Sequence, residues 1–457
     1  MQKFIAKSSE LFDRFDPKYV AFKRRAANFR YPAVKMGSLL SESPEYGAGE
    51  AGIERVDEAT PRYIRITDID ENGELLPGLG MTAANVEPQY FLRDGDLLFA
   101  RSGNTVGKSY LHESGQVPYP CFYAGYMIRF RFSEKVLPKY VFAFAQTPYY
   151  HEWVSAIQRS AGQPNINAQE YRSLEIPLPP LPEQRKIVAE LDAAYAAKRA
   201  ADEKATKLLA SIDYMVLNEL GIAKLPKPDT SLSSRIFTVP AKEVANATLA
   251  PDHYFDSIDF SKAKYPCERF VERIDIDPPC GLEQITKLVP MESVSAEWCA
   301  IESIEDISPD ATQGYSTFRG GDVIWARITP CMENGKSAVV EAEPSECFCG
   351  STEFLVFRPK DDKVNPYYLQ SLLHLKRFRE VAAHHFTGTS GHQRVTADFF
   401  MSISIPIPPR LVQDRIASAA SSIRAETRKL KADATAALDA AKRMIEARIS
   451  CSCPKAG

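Results

Sequence analysis

Apolar residues follow two patterns along this chain, and each pattern occurs in both halves. Short runs of β-branched and aromatic residues, bounded by Gly, Pro, Asn or Asp, are typical of strands. Helical spacing follows some of them. Mixed signals of this kind predict an α+β domain in each half. The strand signals lie at 63–66, 97–100, 126–132, 323–325 and 354–357, and the helical ones at 139–147 and 366–376.

The second pattern is a sustained heptad of apolar residues. It begins at Ile187 and again at Ile416, and in each series eight of ten seam positions are apolar. Both series lack Pro and Gly, so each predicts a helix of roughly 50 Å. Such a helix extends beyond one face of its domain, which favours an antiparallel coiled coil of the two helices. The alternative is that each helix packs only on its own domain. The candidate contact residues, for the partner helix and for docked subunits, are Ile187, Leu191, Leu208, Ile212, Ile416, Ile423 and Leu430.

Three short motifs recur about 230 residues apart, a period too long for a solenoid. The repeats are G-D-L-L-F-A-R at 95–101 and G-D-V-I-W-A-R at 321–327, G-K-S at 107–109 and 335–337, and I-P-L-P-P at 176–180 and I-P-I-P-P at 405–409. We therefore predict two homologous domains in tandem, with one long helix after each. The predicted segments are 1–180 and 223–408 for the domains, 181–222 and 409–450 for the helices, and 451–457 for a tail.

The composition is typical of globular proteins. Of 457 residues 44% are hydrophobic, and 56 Lys and Arg against 59 Asp and Glu leave a net charge of −3. No run approaches the ~18 apolar residues of a membrane span, and the first residues lack an apolar signal core. We therefore expect a cytoplasmic protein. Nine cysteines, whose close pairs are C-x-C, favour reduced structural thiols over a zinc site.

Two catalytic motifs are nearly present, and we discount both. The sequence S-G-N-T-V-G-K-S at 102–109 lacks the first glycine of a phosphate-binding loop, and its second copy has no leading glycine. A structural turn fits better, with Gly at a positive φ and Lys projecting outward. The sequence N-P-Y-Y at 365–368 lacks the second proline of the N-P-P-Y loop of amino-methyltransferases. We expect no catalytic residue and no metal site in this chain.

The run I-P-L-P-P-L-P-E-Q-R-K-I at 176–187 opens the first long helix and has a counterpart at 405–416. It resembles the hallmark of the specificity subunit of type I restriction-modification enzymes. The G-D-L-L-F-A-R and G-K-S motifs are also typical of that family, and the resemblance covers essentially the whole chain. It implies two target-recognition domains that each read half of a bipartite DNA site, separated by two helices in an antiparallel coiled coil. The second half departs at 410–412, where R-L-V replaces L-P-E, and this weakens the equivalence of the two helix starts.

The resemblance also implies partners. They are double-stranded DNA, two modification subunits that carry S-adenosylmethionine chemistry on adenine N6, and optional restriction subunits that use ATP and Mg. The chain itself would then be non-enzymatic and without a cofactor. A competing hypothesis is a scaffold that binds proteins through its helices and does not read DNA.

Candidate DNA contacts lie in two loops of each half. We term 101–108 and 327–336 the proximal loops, and 159–167 and 387–394 the distal loops. Arg can fork onto guanine, and Asn and Gln can pair with adenine, so these loops hold suitable donors despite the net negative charge. For Arg101 and Arg327 a structural ion pair is an equal alternative. Positions 163, 165, 393 and 394 favour function because they differ between otherwise parallel halves. The candidates are Arg101, Asn104, Lys108, Arg159, Gln163, Asn165, Asn167, Arg327, Asn334, Lys336, Thr389, His392, Gln393 and Arg394.

The length of the two helices also bears on the spacing of a split site. A helix of roughly 50 Å compares with about 34 Å per turn of duplex, so half-sites about one turn apart lie within reach. The sequence therefore predicts that helix length sets the unread spacer between the half-sites.

Overall fold

The computed structural model describes residues 17–25, 29–158, 164–227, 231, 236, 238–241, 256–280, 285–389 and 392–450. The chain forms two compact units. Unit 1 contains residues 1–200 and 433–457, and unit 2 contains residues 201–432. Two of the candidate contacts, Arg159 and Gln163, and the predicted tail at 451–457 lie outside the described residues.

Unit 1 combines short helices with short strands. Its helices are α1 (Pro17–Arg25), α2 (Pro138–Phe144), α3 (Pro148–Ile157), α4 (Ala168–Arg172) and the first part of α5 (Leu181–Glu219). Its strands are β1 (Ala33–Lys35), β2 (Glu45–Tyr46), β3 (Gly52–Glu54), β4 (Arg62–Ile64), β5 (Met81–Ala83), β6 (Leu97–Ala100), β7 (Ser109–Leu111), β8 (Cys121–Tyr123), β9 (Met127–Phe130) and β10 (Glu175–Pro177). They form two four-stranded sheets, in the orders β2-β9-β6-β7 and β3-β5-β4-β8, and β1 pairs with β10.

Unit 2 has a closely related set of elements. Its helices are the rest of α5, α6 (Phe270–Arg273), α7 (Cys331–Asn334), α8 (Pro366–His374), α9 (Lys376–His384), α10 (Ala397–Met401) and the first part of α11 (Arg410–Ile449). Its strands are β11 (Cys267–Arg269), β12 (Ile274–Ile276), β13 (Lys287–Val289), β14 (Glu305–Asp306), β15 (Ser316–Arg319), β16 (Val323–Ala326), β17 (Ser337–Val339), β18 (Cys347–Gly350), β19 (Phe354–Pro359), β20 (Phe386–Thr387), β21 (Arg394–Val395) and β22 (Ser404–Pro406). The sheet orders are β12-β19-β16-β17 and β14-β13-β18-β15, and β11 pairs with β22 and β20 with β21.

The two units share one plan, which confirms the predicted pair of α+β domains. The strand of each G-D motif, β6 or β16, lies between two antiparallel neighbours in a four-stranded sheet. All four residues of each strand are buried, because these apolar runs lie within the core. The second sheet of each unit contains one parallel pair, β4 with β8 and β13 with β18.

The long helices run side by side in opposite directions within each unit. In unit 1 Arg448, late in α11, pairs with Glu190, early in α5, at 2.8 Å. In unit 2 Arg415, early in α11, pairs with Glu219, the last residue of α5, at 2.6 Å. In unit 1 Lys442, six residues before Arg448, lies over the ring of Tyr195, five residues after Glu190, so the two helices run antiparallel, as predicted. The candidate contact residues are buried at Ile187, Leu191, Ile212 and Ile416 and half-buried at Leu208, Ile423 and Leu430.

The buried seam of α11 departs from the predicted heptad in its second part. The heptad places Met444 on the buried face, yet its side chain is 63% exposed, whereas Ile445 is 2% exposed. Leu438 and Ile449 are buried on the same shifted seam and pack into the core of unit 1. The prediction for this part was wrong by one position. An α-helix has 3.6 residues per turn, so a strict seven-residue repeat drifts by about 20° per heptad.

Each long helix is joined to its domain by a buried glutamine in its first turn. The Oε1 of Gln184 accepts a hydrogen bond from the backbone amide of Leu137 at 2.9 Å, just before α2. Gln413 accepts one from the amide of Asn365 at 2.8 Å, just before α8. Both side chains also donate to a proline carbonyl that precedes their own helix. The two helix starts are therefore equivalent, despite the sequence departure at 410–412.

The cysteines depart from expectation at one pair. Cys280 and Cys347 form a disulfide, with Cα atoms 6.2 Å apart. The two residues are 67 positions apart in sequence, so the search for close C-x-C and C-x-x-C spacings did not indicate the bond. Cys349, two residues further along β18, is a free buried thiol.

The described helices include none with the length and apolar character needed to span a membrane. Within the same described ranges, no three or more His, Cys, Asp or Glu side chains are grouped so that they could hold a metal ion.

Candidate functional site

The proximal and distal loops of unit 1 are joined through their backbones. The amide of Gly103 donates to the carbonyl of Pro164 at 3.1 Å, and the amide of Ile166 donates to the carbonyl of Arg101 at 2.8 Å. Ser102 and Asn165 form an isolated β-bridge between the two loops. Two loops that lie about 60 residues apart in sequence thus become neighbours, because short β-type pairing satisfies their backbone groups.

The corresponding loops of unit 2 are joined in the same way. The amide of Thr329 donates to the carbonyl of Gln393 at 3.0 Å, and the amide of Val395 donates to the carbonyl of Arg327 at 2.9 Å. Ile328 and Arg394 form the bridge. This pairing makes Arg101 equivalent to Arg327, and Asn165 equivalent to Arg394.

A third segment meets each junction, and the sequence analysis did not identify it. The amide of Arg101 donates to the carbonyl of Tyr126 at 2.9 Å, and the amide of Arg327 donates to the carbonyl of Glu353 at 2.9 Å. Tyr126 immediately precedes β9, and Glu353 immediately precedes β19. Alignment of the sequences of the apolar strands 127–130 and 354–357 would have shown that these two residues occupy equivalent positions in the two units.

Arg101 and Arg327 are the central arginines of the two junctions, and neither forms an ion pair with any of the described residues. The guanidinium of Arg101 lies over the ring of Tyr46, with its carbon 4.9 Å from the ring centre. The Nε atoms of Arg101 and Arg327 are buried and have no hydrogen-bond partner in the part of the chain that the structure describes. An arginine donor left unpaired at the same place in both units is a costly feature for structure alone. No ion pair within 4 Å therefore supports the structural alternative for either residue among the described residues, although burial raises the pKa of the Asp277 carboxyl and the charge of Arg327 acts to lower it.

The lysine of each G-K-S motif is directed inward, and the expectation that it projects outward was wrong. The Nζ of Lys108 donates to the carbonyl of Ile69 at 2.9 Å and pairs with Glu71 at 3.0 Å. The Nζ of Lys336 donates to the carbonyl of Met291 at 2.7 Å. Each lysine thereby ties the proximal loop to a loop that follows a strand of the second sheet.

The rest of the G-K-S motif is also structural. Gly107 and Gly335 both have φ of 88°, which confirms the predicted left-handed turn position. The Oγ atoms of Ser109 and Ser337 accept hydrogen bonds from Gln146 at 2.9 Å and from Gln370 at 3.1 Å. The repeated motif thus positions the proximal loop and is not a phosphate-binding loop.

The other candidate residues fall into two groups. Asn167 is the N-cap of α4, where its side-chain oxygen accepts from the backbone amide of Glu170, so this oxygen is already used in the fold. Arg394 pairs with Glu353, and this hydrogen-bonded carboxylate raises the pKa of the arginine. The remaining described candidates are exposed or half-buried at the loops: Asn104, Asn165, Asn334, Thr389, His392 and Gln393.

A family model described as the type I restriction modification DNA specificity domain matches this chain twice, at residues 81–207 and 293–438. Each match contains one G-D motif, one G-K-S motif and the start of one long helix.

Curated relatives match over part of the chain. The type I restriction enzyme EcoAI specificity subunit of Escherichia coli is 31% identical over 165 residues, which are 36% of this chain and 28% of that protein. The EcoKI specificity subunit of Escherichia coli strain K12 is 25% identical over 227 residues, which are 48% of this chain and 45% of that protein. The aligned region therefore spans less than half of either relative.

Two solved structures align over most of their length. A chain from a structure of the type I R-M system has a TM-score of 0.48 and 17% identity, covering 92% of this chain and 96% of its own. The HsdS subunit from Thermoanaerobacter tengcongensis has a TM-score of 0.36 and 17% identity, covering 92% of this chain and 95% of its own.

Proposed function

We propose that this chain, which belongs to the type I restriction modification DNA specificity family, is the non-catalytic DNA-reading subunit of a cytoplasmic modification complex. Unit 1 and unit 2 would each read one part of a bipartite sequence in double-stranded DNA. Bond making would be left to companion subunits.

The observation that carries this proposal is the duplicated junction of the proximal and distal loops. Each junction holds one arginine on the same pattern of backbone hydrogen bonds, and its buried Nε has no partner among the described residues, while the flanking residues differ between the units. Shared backbone hydrogen bonding with different neighbouring side chains suits a protein that reads two different half-sites. The candidate DNA contacts at the junctions are Arg101, Asn104, Asn165, Arg327, Asn334, Thr389, His392, Gln393 and Arg394.

We assign the partner surface to the two long helices. Tyr214 of α5 is 70% exposed, and Leu411 and Met444 of α11 are 76% and 63% exposed. These side chains are exposed singly and do not by themselves mark a docking patch. The assignment therefore follows from the family's two conserved helices, as the resemblance implies. The proposed partners are two modification subunits, which would supply S-adenosylmethionine, and optional restriction subunits, which would supply ATP and Mg chemistry.

The proposal is tested by DNA binding of the full chain with its modification subunits. We expect a shift of duplex DNA whose affinity falls steeply with salt, because phosphate contacts release counterions. The double variant Arg101→Ala and Arg327→Ala should weaken binding and flatten the salt dependence. The exposed Arg30→Ala provides the matched control and should bind as the wild type does. A complex that assembles and shows no salt-dependent shift would instead support the protein-binding scaffold.

We further propose that the lengths of α5 and α11 set the unread spacer of the DNA site. Insertion of seven residues into both helices preserves the apolar repeat and lengthens each by about 10 Å. Mapping of methylated sites should then show a longer spacer between unchanged half-sites. An unchanged spacer in an active complex would contradict this part of the proposal.

A further inference from the structure

The two junctions have the same backbone hydrogen bonds but carry different side chains beside the central arginine. Arg101 and Arg327 occupy the same central position, and each is bonded through its carbonyl to the distal loop and through its amide to the third segment. At the flanks, unit 1 has Tyr126 and Asn165 where unit 2 has Glu353 and Arg394. This register comes from backbone hydrogen bonds, so the comparison does not depend on sequence alignment.

The flank of unit 1 combines an aromatic ring with an amide. Tyr126 is 67% exposed, although its backbone carbonyl is hydrogen-bonded within the junction. Asn165 bridges Ser102 in the same junction and is half-buried. An asparagine amide can pair with N6 and N7 of adenine, and an apolar ring can contact the methyl group of thymine. Both features favour an A·T pair.

In unit 2 the two corresponding residues, Arg394 and Glu353, form a bidentate ion pair. The Nε of Arg394 lies 2.8 Å from one carboxylate oxygen of Glu353, and its Nη2 lies 2.6 Å from the other. Its Nη1 donates to the carbonyl of His392 at 2.8 Å. Three of the five N–H donors of the guanidinium are therefore used among the described residues, which leaves two. Arginine contacts guanine through two donors, to O6 and N7.

Glu353 has a distinct role in this arrangement. A bidentate carboxylate holds a guanidinium in one orientation, so less side-chain entropy is lost when the arginine binds a base. The side chain of Arg394 is 37% exposed and that of Glu353 is 20% exposed, so the arginine is the more accessible partner. Glu353 is accordingly a positioning residue and Arg394 the contacting one.

We infer that these two flanks determine which base pair each unit accepts at the equivalent step: Asn165 with Tyr126 selects A·T, and Arg394 held by Glu353 selects G·C. The inference rests on the proposed function and extends it to the chemistry of single base pairs.

The test exchanges the flanks within the full chain, expressed with its modification subunits in a host whose methylated sites are mapped. The unit 1 exchange is Tyr126→Glu with Asn165→Arg, and the unit 2 exchange is Glu353→Tyr with Arg394→Asn. Each should change one base pair in one half-site, from A·T to G·C or the reverse. The other half-site is the internal control. A good bidentate contact corresponds to discrimination of roughly 5- to 150-fold between base pairs.

Two conservative variants serve in case an exchange does not assemble. Arg394→Lys keeps the charge but loses the fork, and it should relax discrimination against the wrong pair by about 10-fold at one position only. Glu353→Gln should relax the same position less. Active variants with unchanged half-sites would overturn the inference and leave the proposed function intact. A wild-type complex that methylates no bipartite site would overturn both.

Discussion

Arg131 forms a bidentate, fork-shaped ion pair with the buried carboxylate of Asp96, with Nε 2.6 Å from Oδ1 and Nη2 3.0 Å from Oδ2. Arg358 makes the same fork on Asp322, with both distances 2.7 Å. Each aspartate also accepts from a backbone amide three residues before it, and so closes the turn of its G-D motif. The hydrogen bonds that Arg131 donates to Asp96, together with the nearby negative charges, raise the pKa of Arg131 despite its partial burial.

Removal of this carboxylate should strongly destabilise the unit that contains it. Asp322→Asn leaves Arg358 without its buried counter-charge, and breaking a buried pair in this way costs about 3–5 kcal/mol. We expect a clear fall in the denaturant midpoint. Asp362→Asn, at an exposed aspartate in the same unit, is the control and should change stability little. Equal effects of the two substitutions would show that the fork contributes nothing beyond surface charge.

The shifted seam of α11 predicts different costs at two neighbouring positions. Ile445→Ala removes a side chain packed in the core of unit 1 and should cost about 2–4 kcal/mol. Met444→Ala trims an exposed side chain and should change stability by less than about 0.5 kcal/mol. Chemical denaturation of the full chain measures both. The reverse order would restore the strict heptad predicted from sequence.

Because the lysines of the G-K-S motifs point inward, their substitution should lower the stability of the fold without changing DNA binding. Lys336→Met removes a hydrogen bond to the carbonyl of Met291 and should lower stability by about 1 kcal/mol. It should leave the salt dependence of DNA affinity unchanged. If Arg327 contacts phosphate, Arg327→Ala should reduce the slope of log affinity against log salt by about one. If Lys336→Met reduced the slope of log affinity against log salt, Lys336 would be assigned as a DNA contact after all.

His374 predicts acid sensitivity of unit 2. Burial, aided by the charges of Arg424 and Arg379, lowers the pKa of His374 to about 3. The unfolded chain takes up this proton near pH 6.5, whereas the folded chain resists it, so stability is full above pH 6.5 and falls as the pH drops towards 3. The loss from this group between pH 6.5 and 5 should be about 2 kcal/mol.

The matched variants separate this histidine from general acid effects. His374→Gln keeps an amide donor for the carbonyl of Ala296, which the Nε2–H of the histidine now reaches at 3.2 Å. Its stability should depend less on pH over that range than that of the wild type, as followed by circular dichroism during denaturation. His392→Gln, at an exposed histidine, should retain the wild-type dependence. Identical pH curves for all three proteins would refute the assignment.

Local pattern was sufficient for much of the architecture. The duplication, the α+β class, the central strands and the two long helices all follow from residue periodicity and repeated motifs, because strands and helices impose periods that a sequence displays directly. The positive φ of Gly107 and Gly335 was predictable for the same local reason.

Long-range pairing decided the rest. Tyr126 and Glu353 reach the candidate site only because the strands that follow them pair with β6 and β16, and no local pattern indicates such a neighbour. The inward course of Lys108, the partner of Cys280 and the seam shift at Ile445 likewise depend on what another part of the chain places beside them. The sequence by itself determined which elements form and that they form twice, whereas the tertiary structure decided which side chains meet, since contacts depend on distances that folding alone creates.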